Sequence, residues 1–287
     1  MRRRPGASCR GDGLADREST REWTRTGGFG YVFCSRGAGA GVPRRGSHLQ
    51  DRQTKRVRDR LRETGGWGER TLGALPEVPR RHELANSLTG GVGLLGSLVG
   101  LFVLVDLGTR LGSKGALASA TVYGLSLVIS YAATTVYHGL RCEIRKARWR
   151  IFDHCAVYLL IAGSYTPLAL FGLEGDARWG LLAAVWTLAA LGIAFKLRYR
   201  FRFPGTSVLV YLVMGWLGVF MIGEVAATVG TRGVTLLAAG GLAFTIGTIF
   251  FGAKRLPYHH AVWHLMVILG SALHYLAIVD YVLPSIT

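Results

Sequence analysis

From about residue 82 onward, long apolar runs alternate with short polar breaks, and each run is close to the roughly 20 residues that a helix needs to cross a bilayer. Hydropathy marks seven such runs, near 86–107, 116–138, 152–173, 179–196, 206–227, 233–252 and 260–283. The breaks lie at 112–115, 141–150, 174–176, 198–204, 230–233 and 253–257, and most carry glycine, proline or clustered arginine. Connections this short force successive helices antiparallel. The pattern predicts an all-α membrane protein, a bundle of seven transmembrane helices.

Basic residues orient the bundle. Arg141, Arg145, Lys146, Arg148 and Arg150, then Lys196, Arg198, Arg200 and Arg202, then Lys254 and Arg255 fall in alternate breaks. The other breaks hold Arg110, Lys114, Arg178 and Arg232. The positive-inside rule then predicts a cytoplasmic N-terminus, with Thr287 on the opposite side.

Composition divides the chain in two. Of 34 Lys and Arg in the 287 residues, 19 precede residue 83, as do 9 of the 17 acidic residues. Residues 1–81 are rich in Arg and Gly and hold too few apolar positions to offset chain entropy, so a disordered tail is expected there, ahead of the membrane domain 82–287. The charged stretch 51–62 reads as a solvated run, although RNA or anionic lipid is an alternative partner. The net charge of +17 therefore mixes a polar tail with an apolar body, and no nucleic-acid partner is expected. The four cysteines, Cys9, Cys34, Cys142 and Cys155, have neither a C-x-x-C pair nor regular spacing, which argues against a disulfide scaffold. No apolar core of a secretory leader is visible before the body.

Within this topology, His, Asp, Glu and Asn residues of four spans fall at one rim, the cytoplasmic one. Span one opens with His82, Glu83 and Asn86; span two ends at His138; span three begins with Asp153 and His154; span seven begins with His259, His260 and His264. Polar groups at membrane depth are costly and usually mark a site. His260 and His264 are one helical turn apart on one face. With His138 they offer three imidazole nitrogens, a donor set suited to a transition metal, most simply zinc, with a fourth position left for water. Asp153 is placed to accept a hydrogen bond from that water, or else to pair with Arg148 or Arg150. Thr134, one turn before His138, is placed to reach the same water, or else to bond its own i−4 carbonyl. Paired histidines at a helix end also occur as interfacial residues without any metal. His274, about 15 Å further along its helix than His264, is expected to bond another helix, His154 to meet headgroups, and Glu224 to be interfacial.

An ordered set of motifs along the body resembles the hemolysin III family, within the progestin and adiponectin receptor superfamily and distantly similar to alkaline ceramidases. The matching pieces are Glu83 to Thr89, Thr134 to His138, Phe152-Asp153-His154 with Tyr158 to Pro167, and His260 to His264 with Gly270-Ser271 and His274. The resemblance implies a zinc ion held by His138, His260 and His264, with the aspartate matching Asp153 beside the metal's water. Two positions depart from the usual pattern: Thr89-Gly90 stands where Thr-His is common, and Thr134 where serine is common.

Two functions are open on these residues. One is a zinc-dependent hydrolase of a lipid amide or ester, with Asp153 and Thr134 as catalytic groups. The other is a non-enzymatic membrane-perturbing, cytolytic or receptor-like protein whose metal is structural. A transporter is less favoured, because the halves show no inverted repeat.

Overall fold

The computed structural model describes residues 78–286. The expected disordered tail, apart from its last few residues, and the charged stretch 51–62 lie outside the described residues. The described chain is helical, with no strand among those residues. Helix α1 spans Arg80–Arg110, α2 Lys114–Gly139, α3 Glu143–Gly172, α4 Gly175–Tyr199 and α5 Pro204–Gly215. A 3-10 turn, Leu217–Met221, leads into α6, Ile222–Gly252, and α7 spans His259–Ala277. A π-turn, Ile278–Val282, and a short 3-10 turn, Pro284–Ile286, extend α7.

Local chemistry sets the boundaries. Gly112, with φ of +66°, turns the chain after α1, and the Ser113 hydroxyl then accepts the Ala116 N–H at 3.3 Å as the cap of α2. Tyr258 holds the less usual left-handed conformation, φ 55°, directly after Pro257 and before the first histidine of α7.

Six helical stretches among the described residues are long and apolar enough to cross a membrane. The fifth, Gly205–Gly252, has 48 residues, where a single crossing needs only about 20. Two interruptions divide it: the 3-10 turn, and Gly230 at φ 69° and ψ 176°, a region essentially reserved for glycine.

Side-chain pairings give each element its direction. Helices α1 and α2 run antiparallel, with Gly93 against Tyr131 and Gly108 against Leu117. Helix α3 runs against α2, with Gly163 on Ser126 and Thr134 on Asp153. Helix α4 runs against α3, with Trp186 Nε1 donating to Thr166 Oγ1 at 3.2 Å and Gly192 against Tyr158. The chain from Pro204 to Val229 then tracks α3 in the same direction: Tyr211 donates to the His154 carbonyl, Tyr165 to that of Gly215 and Thr228 to that of Gly172. Beyond Gly230 the direction is opposite to α7, since Gly233 meets Tyr281, Gly240 meets His274 and Gly247 meets Trp263. Helix α7 is parallel to α1, with Thr89 beside His264 and Tyr275 bonded to the Gly100 carbonyl.

Several α1 glycines allow close approach of neighbouring helices. Gly90, Gly93, Gly100 and Gly108 face neighbouring helices, whereas Gly91 and Gly96 meet nothing. The outer face of α1 is apolar, with Leu84, Leu88, Val92, Leu95 and Phe102 exposed. Such a stripe is costly in water and at home in lipid. Buried tyrosines and small residues fill the interior, among them Tyr123, Tyr158, Ala120 and Ala162.

Candidate metal centre

His138 stands in the last turn of α2, and His260 and His264 in the first two turns of α7. The helix directions above bring these ends together. Ring centroids are separated by 5.0 Å for His138 and His260, 5.1 Å for His138 and His264, and 4.7 Å for His260 and His264. One nitrogen from each ring lies within 4.8 Å of the others. Nitrogens around one tetrahedral ion at about 2.1 Å sit roughly 3.4 Å apart, a closure within the torsional freedom of the side chains.

Two rings are already oriented. His138 Nδ1 donates to Glu83 Oε2 at 2.7 Å, and Lys146 Nζ lies 3.0 Å from the same oxygen. That fixes the tautomer with its lone pair on Nε2, a buried atom with no hydrogen-bond partner among the described residues. His264 Nδ1 donates to the Asn86 carbonyl at 3.2 Å, with Thr89 Oγ1 also at 3.2 Å, leaving its own Nε2 available. The His260 ring packs on Phe251. Both His138 and His264 are under 10% exposed. An orphaned buried nitrogen, and two imidazoles held from behind by a carboxylate and a carbonyl, form a donor set that fits a metal preferring nitrogen ligands.

Asp153 and Thr134 sit beside this cluster. Thr134 Oγ1 donates to Asp153 Oδ1 at 2.6 Å, so its hydroxyl addresses the carboxylate instead of its own i−4 carbonyl. Its neighbour Thr135 does make that local bond, to Tyr131 at 2.7 Å. Both Asp153 and Thr134, with His260 and His264, line a cavity of about 140 Å³ that reaches down to Trp216 and His274.

The other histidines separate from the cluster. His274 Nε2 donates to the Leu237 carbonyl on α6 at 3.0 Å, the interhelical bond expected of it. The His154 ring packs edge-on against Phe201 at 5.1 Å rather than reaching for headgroups. The sequence places Glu83 and Asn86 at the rim that holds the histidines, but it assigns neither of them, nor Thr89 or Lys146, a contact with an imidazole. Glu83, Asn86 and Gly90 do recur at helical spacing on the inward face of α1, a weak sign that two polar residues there have partners.

A model of the family described as "Haemolysin-III related" matches residues 79–275. The chain is 40% identical over 205 residues to "Hemolysin-3" of Bacillus cereus, covering 71% of this chain and 94% of that protein. It is 39% identical over 201 residues to the "Hemolysin-3 homolog" of Bacillus subtilis, covering 70% and 94%. Human "Monocyte to macrophage differentiation factor" is 30% identical over 215 residues, covering 71% and 85%. With six apolar helices long enough to span a bilayer and this extent of likeness, the chain belongs to the haemolysin-III-related family and is a multi-pass protein of the cell membrane.

Proposed function

We propose that the chain crosses the membrane seven times with its N-terminus in the cytoplasm, that His138, His260 and His264 hold zinc at the cytoplasmic end, and that the site hydrolyses a lipid amide or ester. The observation that carries the metal is His138: Glu83 occupies Nδ1, and Nε2 is buried without a partner between two further imidazoles. Seven crossings are supported by the paired segments on either side of Gly230, which run in opposite directions along α3 and α7. The cytoplasmic assignment rests on the bias of basic residues.

Zinc at such a site would polarise a carbonyl and lower the pKa of water. The chain's own groups do the rest. Thr134 holds one oxygen of Asp153 and leaves the other to orient a reacting water. Apolar walls of the cavity exclude bulk solvent and accept a hydrophobic chain. Glu83, fixed by Lys146, holds the His138 ring. The test is metal analysis of detergent-purified protein together with lipid-amidase assays on wild type and His264→Ala. Zinc near one equivalent, lost with activity in a folded variant, supports the reading. Activity that survives the substitution rules out the hydrolase. Zinc loss that lowers thermal stability in a protein with no hydrolytic activity favours the structural-metal, membrane-perturbing alternative.

A further inference from the structure

The cavity beside the histidines is not apolar throughout. Deep in the bundle a layer of polar side chains lines it: Ser130 and Tyr131 from α2, and Ser271 and His274 from α7. Ser271 follows His264 by seven residues and His274 by ten, so the layer lies roughly 10–15 Å along α7 from that histidine. Ser130, eight residues before His138, lies at a matching depth on α2, roughly 12 Å. Val157, Leu160 and Val267 give the same cavity apolar wall.

Bonds inside the layer leave three side chains with unused capacity. The Tyr131 hydroxyl donates to Ser271 Oγ at 2.9 Å, and the Ser271 hydroxyl itself donates to no described residue. His274 Nε2 donates to the Leu237 carbonyl, so Nδ1 carries the lone pair, and no described residue donates to it. Ser130 is 5% exposed, and its hydroxyl bonds no described residue, not even the i−4 carbonyl of the kind that Thr135 takes. Polar groups in an apolar cavity cost free energy until something pairs with them. No Asp, Glu, Lys or Arg stands in the layer, so a charged occupant would go uncompensated there. Ser271 offers a donor, His274 Nδ1 an acceptor and Ser130 both; a hydroxyl, which donates and accepts at once, complements all three.

We propose that Ser130, Ser271 and His274 form a subsite for a neutral hydroxyl carried partway along the lipid chain in the cavity. The inference rests on the reading of that cavity as a lipid site, and on neither hydrolysis nor the metal. A plain hydrocarbon chain would fill the space and leave the three groups unpaired, whereas a chain with a mid-length hydroxyl pairs with them. The depth of the layer below His264 sets where along the chain that hydroxyl falls when the polar head lies at the histidines.

The experiment is equilibrium binding of radiolabelled oleate and ricinoleate, which is oleate with one mid-chain hydroxyl, to the detergent-purified full chain. Ricinoleate is expected to bind about 10-fold more tightly, the worth of one or two hydrogen bonds. That preference should shrink in Ser130→Ala and vanish in His274→Leu, with oleate affinity retained in both. It should persist in Thr248→Val, since the Thr248 hydroxyl on the same cavity already bonds the Thr245 carbonyl. It should persist in His264→Ala too, so a failed hydrolase reading leaves the subsite standing. Equal affinity for the two lipids, the result of a layer that holds ordered water only, overturns the subsite and spares the lipid cavity. Binding of neither lipid overturns both. A full preference retained in Ser130→Ala and His274→Leu also overturns the subsite; should His274→Leu fail to fold, Ser130→Ala decides by the same criterion.

Discussion

His138 carries two demands that compete for one ring: Nδ1 must donate backwards and Nε2 must stay free. Glu83 meets the first with a charged acceptor at 2.7 Å, and Lys146 holds that acceptor in place. Glu83→Gln keeps the size of the side chain and removes the charge. Loss of such an outer partner commonly weakens a metal site about 10- to 100-fold, so zinc affinity, measured by chelator competition, should fall by that order with the helical content unchanged. An affinity equal to wild type would show that the carboxylate does not set the ring. Thr134→Val removes the hydroxyl that fixes Asp153 and leaves the metal ligands alone. On the proposed hydrolytic reading, activity should then drop by about 10- to 100-fold, the scale of a misplaced catalytic group, with metal content unchanged. The histidine cluster was legible in the sequence because hydropathy and loop charge place three separated histidines at one rim. The Glu83 contact was not, because an acid near a helix start usually stabilises that terminus or meets solvent. Only the closeness of α1 to α2, through Gly90 and Gly93, puts it on His138.

At the scale of elements, the contrast between α5 and α6 is instructive. Hydropathy separates 206–227 from 233–252 because Gly230, Thr231, Arg232 and Gly233 interrupt it. The fold keeps helical hydrogen bonding almost through that break and concentrates the change of direction in one residue, Gly230. Its backbone angles are strained for any residue with a Cβ, by about 1–3 kcal/mol. Gly230→Ala should therefore lower stability by that amount, read as a fall in Tm, with zinc content preserved because the histidines lie at the other end. An unchanged Tm would mean that the turn is soft. The 3-10 turn after α5 was not legible, since nothing in Gly215-Trp216-Leu217-Gly218 interrupts an apolar run except two glycines. Tertiary contacts account for it: the Tyr165 hydroxyl donates to the Gly215 carbonyl and accepts the Gly218 N–H, and Trp216 reaches across to Thr245. The first two engage a backbone carbonyl and an N–H that a regular helical ladder would use.

The whole molecule depends on whether the 48-residue stretch crosses once or twice. One straight helix of that length would be about 72 Å long, more than twice a bilayer core of about 30 Å. Both of its halves reach the histidine end of the bundle, Tyr211 on the His154 carbonyl and Phe251 on His260, while Thr228 meets Gly172 at the far end of α3. Two crossings satisfy all three contacts. Seven crossings, an odd number, would put the start of α1 and the end of α7 on opposite sides of the membrane. In a background without native cysteines, single cysteines at Arg178, Arg232 and Ser285 should react with an impermeant thiol reagent from outside intact cells. A cysteine at Arg255 should react only after permeabilisation. Labelling at Arg232 from the same side as Arg255 would reduce the stretch to one crossing and put the last helix in the wrong direction. The histidines of α2 and α7 would then face opposite sides of the membrane, and no common metal could join them.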